Sequence, residues 1–326
     1  MLSCLHDDGD EGRTCPADKS SGVALRAALV SGSVSTDRLD SPYPPIRRLG
    51  LDDLKRCVAL SIDRGWPPEK AKWSLLLAAC EVFGVDAPDG KGLAGALVLT
   101  RWAADYASAG MMLVAARYGR RGFGRALMEH LLHAAGDDAT VTLFATDQGR
   151  PLYEKLGFEP VRRSVSLRGR FRVGVGSSKA GGSPKGVRAA TEADLPAILE
   201  LDRAAFGADR GPILTRLPSF ADRIVVLDHG GITGYAAAWR NEPTSTVIGP
   251  LVAPDGAAAR LLVAGLAAHT PTPIRLDLDP DRPELPGWAN SHGLEPTGIT
   301  VVMARGKLIA RGTPEHLYTP ISVALA

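Results

Sequence analysis

Two stretches of this chain begin alike. "IRRLGLDDLKRCVAL" from Ile46 and "VRAATEADLPAILEL" from Val187 each pair a short strand pattern with an acid-rich helix start. Thr191 and Asp194 form a variant of the capping box, in which a hydroxyl and a carboxylate satisfy backbone donors that the first helical turn leaves unpaired. The stretches also close alike: Gly157-Phe158-Glu159-Pro160 is answered by Gly293-Leu294-Glu295-Pro296, and "MLVA" from Met112 by "PLVA" from Pro250. Landmarks repeated in the same order mean two copies of one fold. A chain of 326 residues is long enough to give each copy its own core.

Composition sets the outer divisions. Residues 1–45 are rich in Asp, Ser and Gly and end in "SPYPP", which reads as a disordered N-terminal extension. "VGVGSSKAGGSPKG" gives a flexible linker over 173–186. The expected domains are therefore 46–172 and 187–326. The net charge of +2 is too small for a nucleic-acid binder, and no apolar run is long enough for a membrane span. The four cysteines show no CxxC pair, and the start of the chain is acidic where a targeting peptide would be basic. A cytoplasmic protein without a metal, acting as a monomer or homodimer, is expected.

Within the first copy, "LLLAACEVFGV" and "GLAGALVLTRW" read as strands around an Asp-Gly turn. "SAGMMLVA" reads as a buried strand. It is followed by the loop "YGRRGFG", a helix from about Gly124 with Phe123, Leu127, Leu131 and Ala134 on one face, a strand "VTLFAT", a helix "RPLYEKLG", and final strands in "EPVRRSVSLRGRF". The class is mixed α/β, with a glycine loop joining a strand to a helix. A helix N-terminus offers unpaired N–H groups and partial positive charge. Gly122 and Gly124 are expected to let an anion approach those groups, and Arg120, Arg121 and Arg125 to add charge. The spacing fits neither GxxxxGK[ST] nor GxGxxG.

"MLVAARYGRRGFGRALM" resembles the acyl-CoA pyrophosphate loop of the GNAT superfamily of N-acetyltransferases, [QR]-x-x-G-x-[GA] after an apolar strand end. The first position of that pattern is Gly119 here, which keeps the amide cradle and leaves side-chain contact to the neighbouring arginines. "ATDQGRPLYEKLGFEP" resembles the segment that closes the family's cofactor cleft. The whole chain is similar to the subgroup with a second, degenerate GNAT-like domain at the C-terminus. The resemblance implies tandem GNAT-like acyl-CoA acyltransferase folds, each a central mixed β-sheet flanked by helices.

It also implies a mechanism. Strands ending near Val114 and Thr146 splay apart, and the pantetheine arm of acetyl-CoA pairs with Met112, Leu113 and Val114. The loop Gly119, Arg120, Arg121, Gly122, Phe123, Gly124 and Arg125 holds the pyrophosphate. An N–H near Leu113 polarises the thioester carbonyl, an acceptor amine attacks directly, and Tyr153 protonates the leaving thiolate. The acceptor is a small-molecule or peptide amine. A non-catalytic acyl-CoA sensor is the alternative.

Other residues keep two readings each. Glu81 and Asp147 are either a base or ordinary surface carboxylates; His130 and His133 are solvent-facing rather than metal-binding, for want of a third ligand. Trp66 and Trp73 are a pocket lid or loop anchors. In the second copy the loop is "PDGAAARLL", and Ala289 stands where the first has Tyr153. Acetyl-CoA is expected only in the first copy, with the second shaping the acceptor site and 46–172 able to bind the cofactor alone.

Overall fold

The computed structural model describes residues 43–172, 183–241 and 245–325; the expected extension (apart from 43–45) and linker residues 173–182 lie outside the described residues. The first half runs β1 (Ile46–Arg48), α1 (Leu54–Asp63), α2 (Lys70–Ala79), β2 (Glu81–Asp86), β3 (Leu93–Ala103), β4 (Tyr106–Val114), α3 (Phe123–Ala135), β5 (Thr140–Ala145), α4 (Arg150–Lys155) and β6 (Glu159–Gly169). The second keeps the same order: β7 (Val187–Ala189), α5 (Leu195–Phe206), α6 (Gly211–Leu214), α7 (Leu217–Phe220), β8 (Arg223–Asp228), β9 (Ile232–Asn241), β10 (Ser245–Val252), α8 (Gly256–Ala267), β11 (Ile274–Leu278), α9 (Glu284–Ser291) and β12 (Glu295–Arg305). A short further strand, β13 (Leu317–Thr319), comes last.

Both sheets are mixed. The β4–β5 and β10–β11 pairs are parallel, as crossovers through α3 and α8 require, and the remaining pairs are antiparallel. The duplication extends to side chains that fix the start of each half. Arg47 donates to Asp53 and Asp86, and Arg188 to Asp194 and Asp228. In each half this fork ties the first strand to the helix cap and to the end of the next strand. It holds the Asp53 carboxyl at about 2, chiefly through the Arg47 hydrogen bonds.

The sheets are not separate. The strand order is β1-β2-β3-β4-β5-β12-β6-β11-β10-β9-β8-β7. The closing strands are exchanged: β12 from the second half pairs with β5 (Val301↔Ala145 to Arg305↔Val141), and β6 from the first pairs with β11 (Ile274↔Gly169 to Leu278↔Val165). The two then pair with each other from Glu295↔Arg168 to Ala304↔Glu159. Each half's sheet is thus completed by the other's last strand, and residues 43–325 lie within one compact unit.

Two local expectations change. Leu75–Ala79 belongs to α2 rather than to a strand; β2 starts only at Glu81. Leu75, Leu76 and Leu77 are all buried, so an unbroken apolar run does not reveal its period. On α3 the buried face carries Ala135 and Met128 with Phe123, Leu127 and Leu131, while Ala134 is only half-buried. "EPVRRSVSLRG" forms one continuous strand.

The exchange changes what a fragment should do. Residues 46–172 lack β12, so β5 and both edges of β6 lose their partners, and a bare strand edge recruits other chains. Expressed alone, 46–172 should be insoluble or oligomeric rather than a folded monomer. A sharp monomer peak with a cooperative melt would show that exchange is not needed for folding.

Candidate active site

The parallel ladder between β4 and β5 runs from Tyr106↔Thr140 to Ala109↔Leu143 and stops. The cause lies on the other side of β4. Its register with β3 slips between Val98↔Gly110 and Ala96↔Leu113, and in that bulge Met111 takes a left-handed φ of 48°. A bulge bends the strand that carries it. Gly110–Val114 is therefore left without a β5 partner, which supplies the splay expected there.

The loop after β4 is fixed from several sides. The Ala116 N–H donates to Asp63 on α1 at 2.6 Å, and the Tyr118 ring packs against Phe123. Arg120 has φ 58° and Gly122 φ 86°. A Cβ at Gly122 would lie 1.9 Å from the Tyr43 hydroxyl, so the left-handed backbone favours glycine here and any side chain would also have to displace the Tyr43 ring. Tyr43 itself, within the expected extension, packs on Phe123 with centroids 4.9 Å apart. Gly122 is the N-cap of α3 and has no side chain to cap it, and among the described residues no carboxylate ties up the first-turn amides.

Gly124 serves differently from the expectation. A Cβ there would meet Met112 Cε at 2.9 Å, Leu152 Cδ2 at 3.4 Å and Val114 Cγ2 at 3.7 Å, so its open side faces β4 and α4 rather than the loop mouth. The missing side chain lets α3 settle on the splayed strand. Gly124, Met112 and Val114 are thereby brought together. Gly119, Arg120, Arg121 and Arg125 lie exposed at the loop, where Arg121 covers the Tyr118 ring and Arg125 pairs with Glu129.

Tyr153 comes directly after Leu152 on α4 and is buried, its ring packed at Gly149 and edge-on to Phe158 at 6.0 Å. Burial pushes its phenol up to about 12. The other candidates separate. Glu81 accepts from Arg48 at 2.9 Å and Arg101 at 2.6 Å, which leaves it poorly placed as a base. Asp147 is exposed. His130 is not solvent-facing but half-buried edge-on to Phe83, and burial lowers its pKa. Among the described residues no cluster can hold a metal, and no helix is long and apolar enough to cross a membrane. Trp73 is fully buried with its indole donating to Ser61, a packing role, while Trp66 is partly exposed.

The second half repeats the geometry in another state. The β10–β11 ladder ends at Val247↔Arg275, and β10 slips against β9 between Ile248 and Leu251, the counterpart of the β4 bulge. Here the gap is filled. β13 lies along β10, with Leu251 opposite Thr319 and Val252 opposite Leu317. At the start of α8, Asp255 is the N-cap and accepts from the Ala258 N–H at 2.8 Å, putting the chain's own carboxylate at the anion position. The signal for this cap was present in the sequence, an Asp directly before an apolar helical run. The Leu294 N–H donates to the Ala289 carbonyl as the Phe158 N–H donates to that of Tyr153, so the two positions correspond.

Comparison with known proteins agrees with this duplication. Residues 79–160 match one family described as Acetyltransferase (GNAT) domain, and residues 198–319 match a second with the same description. The chain carries two GNAT domains. It is 28% identical to the uncharacterised N-acetyltransferase YitH of Bacillus subtilis over 222 residues, which is 67% of this chain and 76% of that protein. Its fold is similar to a putative acetyltransferase of Pyrococcus horikoshii, with a TM-score of 0.73, 20% identity, and 89% and 98% of the two chains covered. It is also similar to a tandem GNAT protein from the clavulanic acid biosynthesis pathway, with a TM-score of 0.59, 17% identity, and 82% and 99% covered.

The filled state of the second GNAT domain is testable. Asp255→Ala removes a cap and should cost about 1 kcal/mol in thermal or denaturant unfolding. Calorimetry should find the same acetyl-CoA stoichiometry as in the wild type, because β13 still occupies the gap.

Proposed function

We propose that the first GNAT domain transfers the acetyl group of acetyl-CoA to a primary amine, and that the second does not catalyse. The observation that carries this reading is the contrast between two equivalent sites. Among the described residues, no third strand lies between the splayed strands of the first and the Gly122 N-cap offers no side chain; in the other, β13 and Asp255 occupy the corresponding places.

The residues suit each part of the co-substrate in turn. The amides at the start of α3, with Arg120, Arg121 and Arg125 around them, suit a pyrophosphate. The unpaired edge of Met112, Leu113 and Val114 suits the pantetheine amides, which bond as a strand would. An N–H at Leu113 stabilises negative charge developing on the thioester oxygen. The amine nitrogen bonds to the carbonyl carbon, the C–S bond breaks, and the nitrogen gives up a proton to solvent.

Tyr153 assists the departing sulfur. A phenol near 12 remains protonated throughout the neutral range, so a donor is always present. Against a thiol near 8.5, however, complete transfer is uphill by about 5 kcal/mol. Tyr153 therefore acts as a hydrogen-bond donor while charge builds on sulfur, and completes the transfer only as the proton shed by nitrogen becomes available to replace its own.

Thiol release from acetyl-CoA, measured with amino acids, polyamines, aminoglycosides and peptide N-termini, tests the reading. Binding of acetyl-CoA without release for any amine would reject it in favour of a sensor. Tyr153→Phe keeps the ring and should lower turnover about 10²-fold or more with little change in acetyl-CoA affinity. An unchanged turnover in a variant whose chemical step is rate-limiting would return Tyr153 to a packing role.

A further inference from the structure

The strand that fills the second gap does not stop there. Beyond β13 the chain passes Gly249, where a Cβ would lie 2.2 Å from the Pro320 carbonyl oxygen. The Trp239 indole then donates to the Ile321 carbonyl at 3.3 Å. At its far end the segment reaches the first GNAT domain: a Cβ at Gly110 would lie 2.0 Å from the Ala324 carbonyl oxygen and 2.8 Å from its carbon. Gly110 is the last β4 residue in register with β3 before the bulge at Met111, so the tail backbone lies flat against the place where the open cleft begins. Ile321, Ala324 and Leu325 are buried in the core of the first half, although they come after the second half in sequence.

Other groups converge on the same region. Lys72 on α2 lies 5.7 Å from the Trp239 ring and is ion-paired with Glu69, both nearly buried. Glu69 has φ 35°, a left-handed conformation that a glutamate adopts only when its surroundings hold it there. Lys72 thus meets the second domain's Trp239, Trp239 meets the tail at Ile321, and the far end of the tail reaches Gly110. A cavity of about 230 Å³ lies beside β13, lined by Phe144 of β5, Arg162 of β6, Asp277 of β11, and Thr319 and Pro320.

We propose that Leu317–Leu325 is a positioning segment for the first cleft. β13 uses the second gap as its socket, in the place a pantetheine arm would take, and this anchors Ile321–Leu325 as a prop behind the β4 bulge and a wall of the amine site. The second domain's cleft is therefore retained as a seat for the chain's own strand. This rests on the proposed acetyl transfer for its kinetic part, while its structural part does not depend on any activity.

Two variants separate the possibilities. Gly249→Ala lies in the second domain and drives a Cβ against the Pro320 and Ile321 carbonyls without altering any residue of the first cleft. Deletion of 321–326 removes the prop and leaves β13. Both are compared with the full-length wild type by hydrogen exchange and by kinetics. Exchange should rise at least about tenfold in Thr319–Leu325 of Gly249→Ala and in Gly110–Leu113 of both variants. The KM for whichever amine the wild type acetylates should rise about tenfold or more, with acetyl-CoA affinity within about twofold, since small misplacement at a reacting site is costly. Unchanged exchange in Gly110–Leu113 would overturn the proposal, as would an unchanged amine KM once the tail is displaced, or an equal loss of acetyl-CoA affinity. If the wild type acetylates no amine, the proposed reaction fails by itself, and exchange at Gly110–Leu113 still decides whether the tail props the bulge.

Discussion

Every backbone N–H and C=O on the inner edges of β5 and β11 needs a partner, because an unpaired polar group in the interior costs about as much as a lost hydrogen bond. The chain meets this need by exchange: β12 satisfies β5, β6 satisfies β11, and the two pair with each other. The remaining architecture depends on that exchange. Each half's sheet is completed by a strand of the other, so the second GNAT domain supplies part of the first's fold whether or not it binds anything. That contribution depends on the strands of the second copy and not on the residues of its cleft.

The two clefts differ by few residues. Both have a bulged strand, a parallel ladder that ends early and a helix pointing its N-terminus at the gap. In the second, one carboxylate occupies the N-cap amides of α8 and a three-residue strand lies along β10. A ligand entering the second cleft must displace contacts that are intramolecular and hence present at high effective concentration. That disadvantage exists even before the missing arginines are considered.

The parts of this structure legible in the sequence were those written in local pattern. The duplication, the strand–loop–helix at Val114 to Gly124, the capping box at Thr191 and the helix carrying Tyr153 all rest on residues close together in the chain. Strand exchange was not legible, because the alternation in "EPVRRSVSLRG" reports which face is buried and says nothing of which strand lies alongside. The path of the tail is not legible for a related reason: "LYTPISVALA" has no period, and the close approaches that seat it are at two glycines, Gly249 and Gly110, far from it in sequence. Spacing marks Gly124 as part of the loop but does not say that its open side faces Met112 and Leu152.

The duplication also preserves a mechanical role through different chemistry. The eighth residue of the first long helix in each half ties that helix to a later part of the same half. In the first, Ser61 on α1 accepts from the Trp73 indole; in the second, Asp202 on α5 accepts from Arg210 at 2.9 Å and from the Tyr235 hydroxyl. The neutral pair costs little to bury. Asp202 and Arg210 are both about 1% exposed, and burying two charges repays its desolvation only when both are paired and further hydrogen-bonded, which Tyr235 completes. Removing one partner of such a pair typically costs about 3–5 kcal/mol. The second half thus depends on a geometrically demanding polar contact where the first relies on packing. A buried and fully paired contact of that kind holds α5 against β9, which neighbours the β10 strand that seats β13, and a rigid socket is what β13 requires if its far end is to hold the β4 bulge in place.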